Sequence, residues 1–181
     1  FINDILNMAR LESGKVSLEK SDVAIGLVID EAVREVQDEI DRKGLTLTVE
    51  GARDAHLEAD PHALYQILGN LLDNAVKFTP EAGQVAIRIR PVPGAVNIFV
   101  EDSGIGIPKD KIHRIGRPFE QVEGDLTRSY KGSGLGLAIA RSLTELHGGS
   151  LRLRSAIGAG TIVMVHLPLD GGAGRVMARA A

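Results

Sequence analysis

Glu101 to Ile107 reads Glu-Asp-Ser-Gly-Ile-Gly-Ile directly after an apolar run, which sets one carboxylate and two closely spaced glycines where a strand runs out. Asp102 can accept a hydrogen bond from an exocyclic amine, while Gly104 and Gly106 let backbone approach a flat ring with no Cβ in the way. The same residues are also ordinary turn chemistry, since Asp bonds locally to backbone and Gly takes positive φ, so alone they leave both readings open. Asn70, Asn74 and Lys77 form a second group. At about 100° per residue they fall within an arc of about 60° on the border of an apolar helix face, so they point at one place. A third stretch, Lys131 to Leu137, reads Lys-Gly-Ser-Gly-Leu-Gly-Leu and runs straight into a helical pattern. A glycine-rich loop feeding a helix N-terminus aims free N–H groups and the positive dipole end outward, which suits phosphate.

The elements that must position these groups can be read in order. Phe1 to Glu12 has apolar residues at helical intervals, closed by Ser13-Gly14, and is expected to be the last turns of a longer helix. Val16 to Glu19 is expected as a short strand, after which Ser21 or Asp22 would cap an amphipathic helix ending at Gly44. Leu45 to Glu50 and His56 to Ala59 alternate as strands. Asp60-Pro61 is an N-cap followed by proline at the first helical position, and that helix carries Asn70, Asn74 and Lys77. Gln84 to Arg90 and Ala95 to Glu101 form a hairpin around Pro91-Val92-Pro93-Gly94, the second strand delivering Asp102. Pro108 starts a short helical turn, and Arg117 to Ser129 reads as a long mobile loop. The helix after the glycine loop stops at Gly148-Gly149, strands Leu151 to Arg154 and Thr161 to Leu167 follow, and Gly171 to Ala181 lacks a core pattern and is expected to be a flexible tail.

The bulk numbers remove other classes. A net charge of −3 without runs of like charge gives no nucleic-acid surface. The absence of cysteine excludes disulfides and thiolate metal sites. No apolar run approaches the roughly 18 residues needed to span a bilayer.

Two phosphate loops are excluded by spacing. A Walker A loop needs glycine, four residues, then Gly-Lys and Ser or Thr; the one Gly-Lys here, Gly14-Lys15, has Ala9 in the glycine position and Val16 after the lysine. A dinucleotide fingerprint needs glycine at the sixth position, where this chain has Leu137. What the chain does offer, in order, is Asn70-x3-Asn74-x2-Lys77, Asp102-x-Gly104-x-Gly106, Pro118-Phe119, Gly132-x-Gly134-Leu135-Gly136-Leu137 and Gly158-x-Gly160-Thr161. This resembles the ATP-binding domain of sensor histidine kinases, in the superfamily shared with gyrase, Hsp90 and MutL, whose boxes are named N, G1, F and G2. The resemblance covers about Val16 to Leu169. The opening Phe1-Ile2-Asn3-Asp4-Ile5-Leu6 with Leu11-Glu12-Ser13-Gly14 is similar to the end of that family's dimerisation and phosphoacceptor helix.

The resemblance implies an α/β two-layer sandwich of the Bergerat type, a mixed sheet with three helices on one face and a flexible ATP lid. It divides the chain into residues 1–15 as the end of the dimerisation helix, 16–170 as the catalytic domain and 171–181 as the tail. It implies Asn74 as ligand to Mg²⁺, with Asn70 holding water or phosphate and Lys77 neutralising phosphate oxygens; a neutral carbonyl is sufficient when the triphosphate supplies the charge. It carries Asp102 over as the adenine reader, shaped by Gly104 and Gly106 and flanked by Ile105, Ile107 and Phe78, with Thr161 as a secondary base-pocket candidate. Gly132, Ser133, Gly134, Leu135, Gly136 and Leu137 would close over the phosphates, with Phe119, Arg128 and Lys131 in the lid. The implied partners are the dimerisation and histidine phosphotransfer domain of the same protein and a response regulator receiver domain. The parent would be a cytoplasmic or membrane-anchored homodimer.

No histidine fits the family's acceptor, which is followed by an acidic residue and then a proline; His56, His62, His113, His147 and His166 all lack that pattern. His62 is expected at the surface of a helix first turn, and His147 beside a helix C-terminus, where positive charge would be favoured. The acceptor is therefore expected upstream of Phe1. The F box departs from Phe-x-Pro-Phe, reading Gly116-Arg117-Pro118-Phe119 as in some alphaproteobacterial cell-cycle kinases, and so lacks an apolar anchor of roughly 1.5–3 kcal/mol. Three rivals stay open: a degenerate or phosphatase-biased kinase whose domain acts as a regulatory scaffold, an ATP-hydrolysing machine of the gyrase type, and a non-nucleotide interaction domain. The second would place a carboxylate where this chain has Asn70.

Overall fold

The computed structural model describes residues 2–119 and 132–172. Its central helix is α3, Pro61–Phe78. Asp60 caps it as the sequence requires, Oδ1 accepting from the N–H of His62 at 3.0 Å and of Ala63 at 3.1 Å, while Pro61 supplies the pre-set first φ. Ala63, Leu64, Ile67, Leu68, Leu71, Leu72, Ala75 and Val76 are buried along one face. Each fully buried Leu or Ile side chain contributes about 1.5–3 kcal/mol, so this face outweighs any helix propensity term.

The main sheet runs in the order β2-β4-β5-β7-β6, with β2 (Thr46–Gly51), β4 (Gln84–Val92), β5 (Ala95–Asp102), β6 (Ser150–Ala156) and β7 (Gly160–Pro168). β2 pairs with β4 in parallel and the other pairs are antiparallel, so the sheet is mixed. Alternation sends Val85, Ile87 and Ile89, Val96, Ile98 and Val100, and Val163, Val165 and Leu167 into the core. On that face α3 and α5 (Gly136–Leu146) lie against the sheet, and α2 (Ile25–Lys43) packs along α3. The opposite face is polar: Arg88 reaches Glu101 at 2.9 Å and Glu50 at 3.8 Å, and Arg90 lies 6.0 Å from the centre of the Phe99 ring. The expected two-layer fold is observed. Helix α1 (Ile2–Glu12) ends with Gly14 at φ 66° and buries Met8, whereas Ile2 and Leu6 are exposed. No helix among the described residues is long and apolar enough to cross a membrane.

The structure corrects four expectations. Val16 to Glu19 forms no strand; the strand is β1, Ser21–Ala24, in a separate two-stranded sheet with β3, His56–Ala59. Ser21 and Asp22 therefore pair with Ala59 and Glu58 instead of capping α2, which starts at Ile25 after Ala24 with no side-chain cap. The hairpin pairs out to Val92↔Ala95, leaving Pro93-Gly94 as a two-residue turn; Pro91 sits in the strand because β4 needs no N–H from it there. His147 is not a charged C-terminal residue. It is buried, Nδ1 bonds the Leu143 carbonyl at 2.7 Å, and Nε2 accepts from the Asp60 N–H at 3.1 Å. Burial pushes its pKa down, and both ring nitrogens are committed to the neutral form. His62 is at the surface, as expected.

Candidate nucleotide site

β5 ends at Asp102, which stands opposite Thr161 in the register with β7. The Asp102 carboxylate accepts from the Gly104 N–H at 2.8 Å, closing the Asp-Ser-Gly turn. Burial raises its pKa, against the pull of backbone N–H groups of Gly104 and Thr161 that lowers it. Asp102 is thus a half-enclosed acceptor with capacity to spare, which is what an amine reader needs.

The loop after Asp102 is set against two neighbours. Ile105 N–H donates to the Phe78 carbonyl at 3.3 Å, joining the loop to the end of α3, and the ideal Cβ of a residue at Gly104 would lie 2.6 Å from that same oxygen. On the other side Gly158 N–H donates to the Ile105 carbonyl at 2.9 Å, and Ile107 N–H to Ser155 Oγ at 2.8 Å. Gly106 has φ 74°, and a Cβ there would overlap the Ala156 carbonyl, so backbone meets backbone with no room for a side chain. Ile105 and Ile107 are half-buried in this loop.

Two of the N-box side chains, Asn70 and Lys77, face the glycine loop. Asn70, Asn74, Lys77 and Phe78 are all half-buried on α3, whereas Asp73 between them is exposed. The Lys77 ammonium occupies the space a side chain at Gly132 would take, and lies 5.4 Å from the centre of the Phe78 ring. The Asn70 carbonyl oxygen lies 3.4 Å from where a Cβ at Gly136 would sit. Glycines at these places admit the polar ends of Lys77 and Asn70 between α3 and the start of α5. Among the described residues no group of three His, Cys, Asp or Glu could hold a metal. The donors present, amide oxygens beside an ammonium, fit a hard cation that shares its oxygens with a phosphate chain.

The rest of the loop is more loosely built. Leu135 is fully buried and its N–H donates to Ser133 Oγ at 3.2 Å; Leu137 is buried in α5, and Gly134 has φ 69°. Phe119 has φ 63° and is 61% exposed, so it contributes no wall in this conformation. Arg128 and Lys131 lie outside the described residues. The F-box glycine is explained: Gly116 has φ 88°, and its missing Cβ would sit 2.7 Å from an Arg141 guanidinium nitrogen. Arg141 of α5 fills the place of the absent aromatic.

Sequence reasoning missed Ser155 and the contact of Asp4. Ser155 Oγ donates to the Gly160 carbonyl at 2.9 Å, meets Thr161 Oγ1 at 2.8 Å and accepts from Ile107. Counting back across the turn Ile157 to Ala159 pairs Ser155 with Thr161, so that signal was available. Ser133, expected on the phosphates, donates to Asp4 Oδ2 of α1 at 3.0 Å, a contact across 129 residues with no local signature.

A mixed sheet covered by helices on one face, with an Asn-Asn-Lys helix border and a half-buried aspartate at a strand end, bounded by glycine loops, is the frame in which the comparisons with known proteins fall. Residues 59–171 match the family described as histidine kinase-, DNA gyrase B- and HSP90-like ATPases, and the chain belongs to that family. It is 41% identical over 172 residues to the non-motile and phage-resistance protein of Caulobacter vibrioides, covering 93% of this chain and 20% of that protein. To the histidine protein kinase DivJ of the same organism it is 38% identical over 169 residues, covering 93% and 28%. Among solved structures, full-length ShkA in complex with AMPPNP superposes with a TM-score of 0.82 at 30% identity, covering 93% of this chain and 35% of that one. The chain spans between about a tenth and a third of the length of the curated relatives it matches. Within the family it is the ATP-binding catalytic domain of the sensor histidine kinase kind.

Proposed function

We propose that the chain binds ATP with Mg²⁺ between α3, the Asp102 loop and the glycine loop, and that in its parent it donates the γ-phosphate to a histidine outside this chain. The observation that carries this reading is the facing of Lys77 and Asn70 onto Gly132 and Gly136, with Asp102 half-buried behind them. Asp102 orients the base through its amine, Lys77 neutralises phosphate oxygens, and Asn70 and Asn74 present amide oxygens to the phosphate side. When bound, Mg²⁺ supplies further charge compensation, with Asn74 as its protein ligand. In the transfer the bond from the γ-phosphorus to the β–γ bridging oxygen breaks, ADP keeps the electron pair, and an imidazole nitrogen forms the new P–N bond. The domain contributes positioning and charge neutralisation.

Three of the five histidines have partners within the fold and so support an acceptor elsewhere: His147 is buried, His166 bonds Asn97 at 2.7 Å, and His56 meets Asp22 at 3.0 Å. The exposed Ile2 and Leu6 support α1 as the end of a dimerisation helix, which makes the parent a homodimer. The phosphohistidine would then pass its phosphoryl group to an aspartate of a response regulator receiver domain, on the cytoplasmic side if the parent is membrane-anchored. A titration of this chain with a fluorescent ATP analogue, with and without Mg²⁺, tests the site. Saturable binding weakened by Asp102→Ala, with Mg²⁺ dependence lost in Asn74→Ala, supports it. Absence of binding under every condition leaves a regulatory scaffold as the better reading.

A further inference from the structure

The residues that would meet the phosphates sit on the last turns of α3, and how that end is held has a further consequence. A helix leaves its last four carbonyls without intrahelical donors. Here Thr79 Oγ1 donates to the Ala75 carbonyl at 2.6 Å, and Ile105 N–H donates to that of Phe78. The Lys43 ammonium donates to the carbonyls of Val76 at 2.7 Å, Lys77 at 2.9 Å and Thr79 at 3.0 Å. Lys43 is the last residue of α2, and Gly44 at φ 62° turns the chain away immediately after it. Its own carbonyl accepts from the Ala82 N–H at 2.9 Å, so one residue grips the α3–β4 connection by side chain and backbone together.

Three converging carbonyls match the three donors of an ammonium, and a cation at a helix C-terminus also meets the negative end of the dipole. Water is a poor substitute at this place, because Val76 and Thr79 are buried. Lys77 carries both one of these carbonyls and the side chain that faces Gly132, and Asn74 lies one turn earlier.

We propose that Lys43 is a positioning residue for phosphate binding, fixing the last turn of α3 so that Lys77 faces the glycine loop and Asn74 keeps its place one turn earlier. The inference rests on the reading of those two residues given above. It requires that loss of Lys43 be felt more at the phosphate end than at the base, since Asp102 is held by its own turn and by β7, although the Ile105–Phe78 bond ties the base loop to the same end of α3.

The test measures binding of a fluorescent ATP analogue with and without Mg²⁺, and of adenosine, to the whole chain and to Lys43→Met and Lys43→Arg, with a thermal melt of each. Misplacement of a binding group by about 1 Å costs up to about a hundredfold, so Lys43→Met is expected to weaken Mg²⁺-dependent binding at least about tenfold while adenosine affinity changes less than about twofold. Lys43→Arg, which keeps the charge but spreads its donors over a plane where these carbonyls converge on one nitrogen, is expected to fall between. Equal losses for adenosine and for the Mg²⁺-bound analogue, or a lowered melting temperature with unchanged Mg²⁺ enhancement, overturn the proposal. If Lys43→Met does not fold, the arginine variant decides: undiminished Mg²⁺ enhancement in it overturns the proposal, and a selective loss supports it. Wild-type chain that binds no nucleotide at all overturns the site reading and this inference with it, whereas wild-type binding with unaffected variants overturns this inference alone.

Discussion

The two walls of the candidate site are built differently. On the base side, backbone holds backbone: Gly158 to Ile105, Ile105 to Phe78, Ser103 to Gln84 at 3.0 Å, with Ser155 serving three partners. On the phosphate side, side chains reach across from distant elements, Lys77 to the space beside Gly132 and Asp4 to Ser133. The first arrangement is pre-organised, so a flat ring can enter without ordering cost. The second is held by the tips of side chains. The difference teaches that identical residue types, glycines flanking short polar loops, serve opposite ends: close approach of backbone in one wall, room for a neighbour's charged side chain in the other.

Glycine substitutions break that comparison most sharply. Gly106→Ala forces a Cβ onto the Ala156 carbonyl at φ 74°, and neither backbone can move independently. Strain and overpacking together are expected to cost about 3 kcal/mol or more. Gly132→Ala meets only the flexible tip of Lys77 and is expected to leave stability within about 0.5 kcal/mol. Urea unfolding of the two variants checks this; equal losses would mean that both walls are backbone-packed.

Acid separates the walls next. The pKa of Asp102 is raised, chiefly by burial, so on acidification it takes up a proton before an ordinary aspartate does. Protonation removes the charged acceptor for the base amine. Nucleotide affinity is expected to fall as pH drops toward and through that raised pKa, beginning above the usual value near 4, by about tenfold at the acid end. Titrations of wild type and Asp102→Asn across pH read this directly. Asp102→Asn should start weaker and show a flat profile, and a parallel decline in both would move the titrating group elsewhere.

How far this site was legible in the sequence follows from the same contrast. Asp60-Pro61, the apolar stripe of α3 and the alternation of β4, β5 and β7 specify elements locally, and each is found where its residues put it. Asp102 and the N-box face were legible because each rests on one element's own period. Ser21 and Asp22 misled because a residue suited to capping is equally able to lie in an edge strand, and the partner that decides, β3, lies about thirty-five residues on. The protonation of His147 was misjudged for a related reason. A helix C-terminus favours a cation only when water can reach it, and the Asp60 N–H that needs an acceptor there comes from the start of another helix. Lys43 gave no signal at all, because three carbonyls meeting one ammonium is a property of how α2 crosses α3.

The smallest expected effect lies at the contact between α1 and the glycine loop, and it sharpens the comparison from the side of the weaker wall. Ser133 Oγ both accepts from Leu135 N–H and donates to Asp4, so Ser133→Ala removes two bonds while Asp4→Asn keeps an acceptor for the hydroxyl. Half-buried side-chain hydrogen bonds contribute about 0.5–1.5 kcal/mol each, and the Leu135 N–H loses its partner only in the first variant. Ser133→Ala is therefore expected to lower stability by about 1 kcal/mol, and Asp4→Asn by less than about 0.5 kcal/mol. In both, nucleotide affinity should shift by no more than about threefold, because each variant alters one hydrogen bond between α1 and this loop. Urea unfolding and ATP-analogue titration on the same samples give both numbers. A loss of affinity in Asp4→Asn as large as that in Asp102→Asn would mean that α1 organises the phosphate wall as firmly as β6 and β7 organise the base wall.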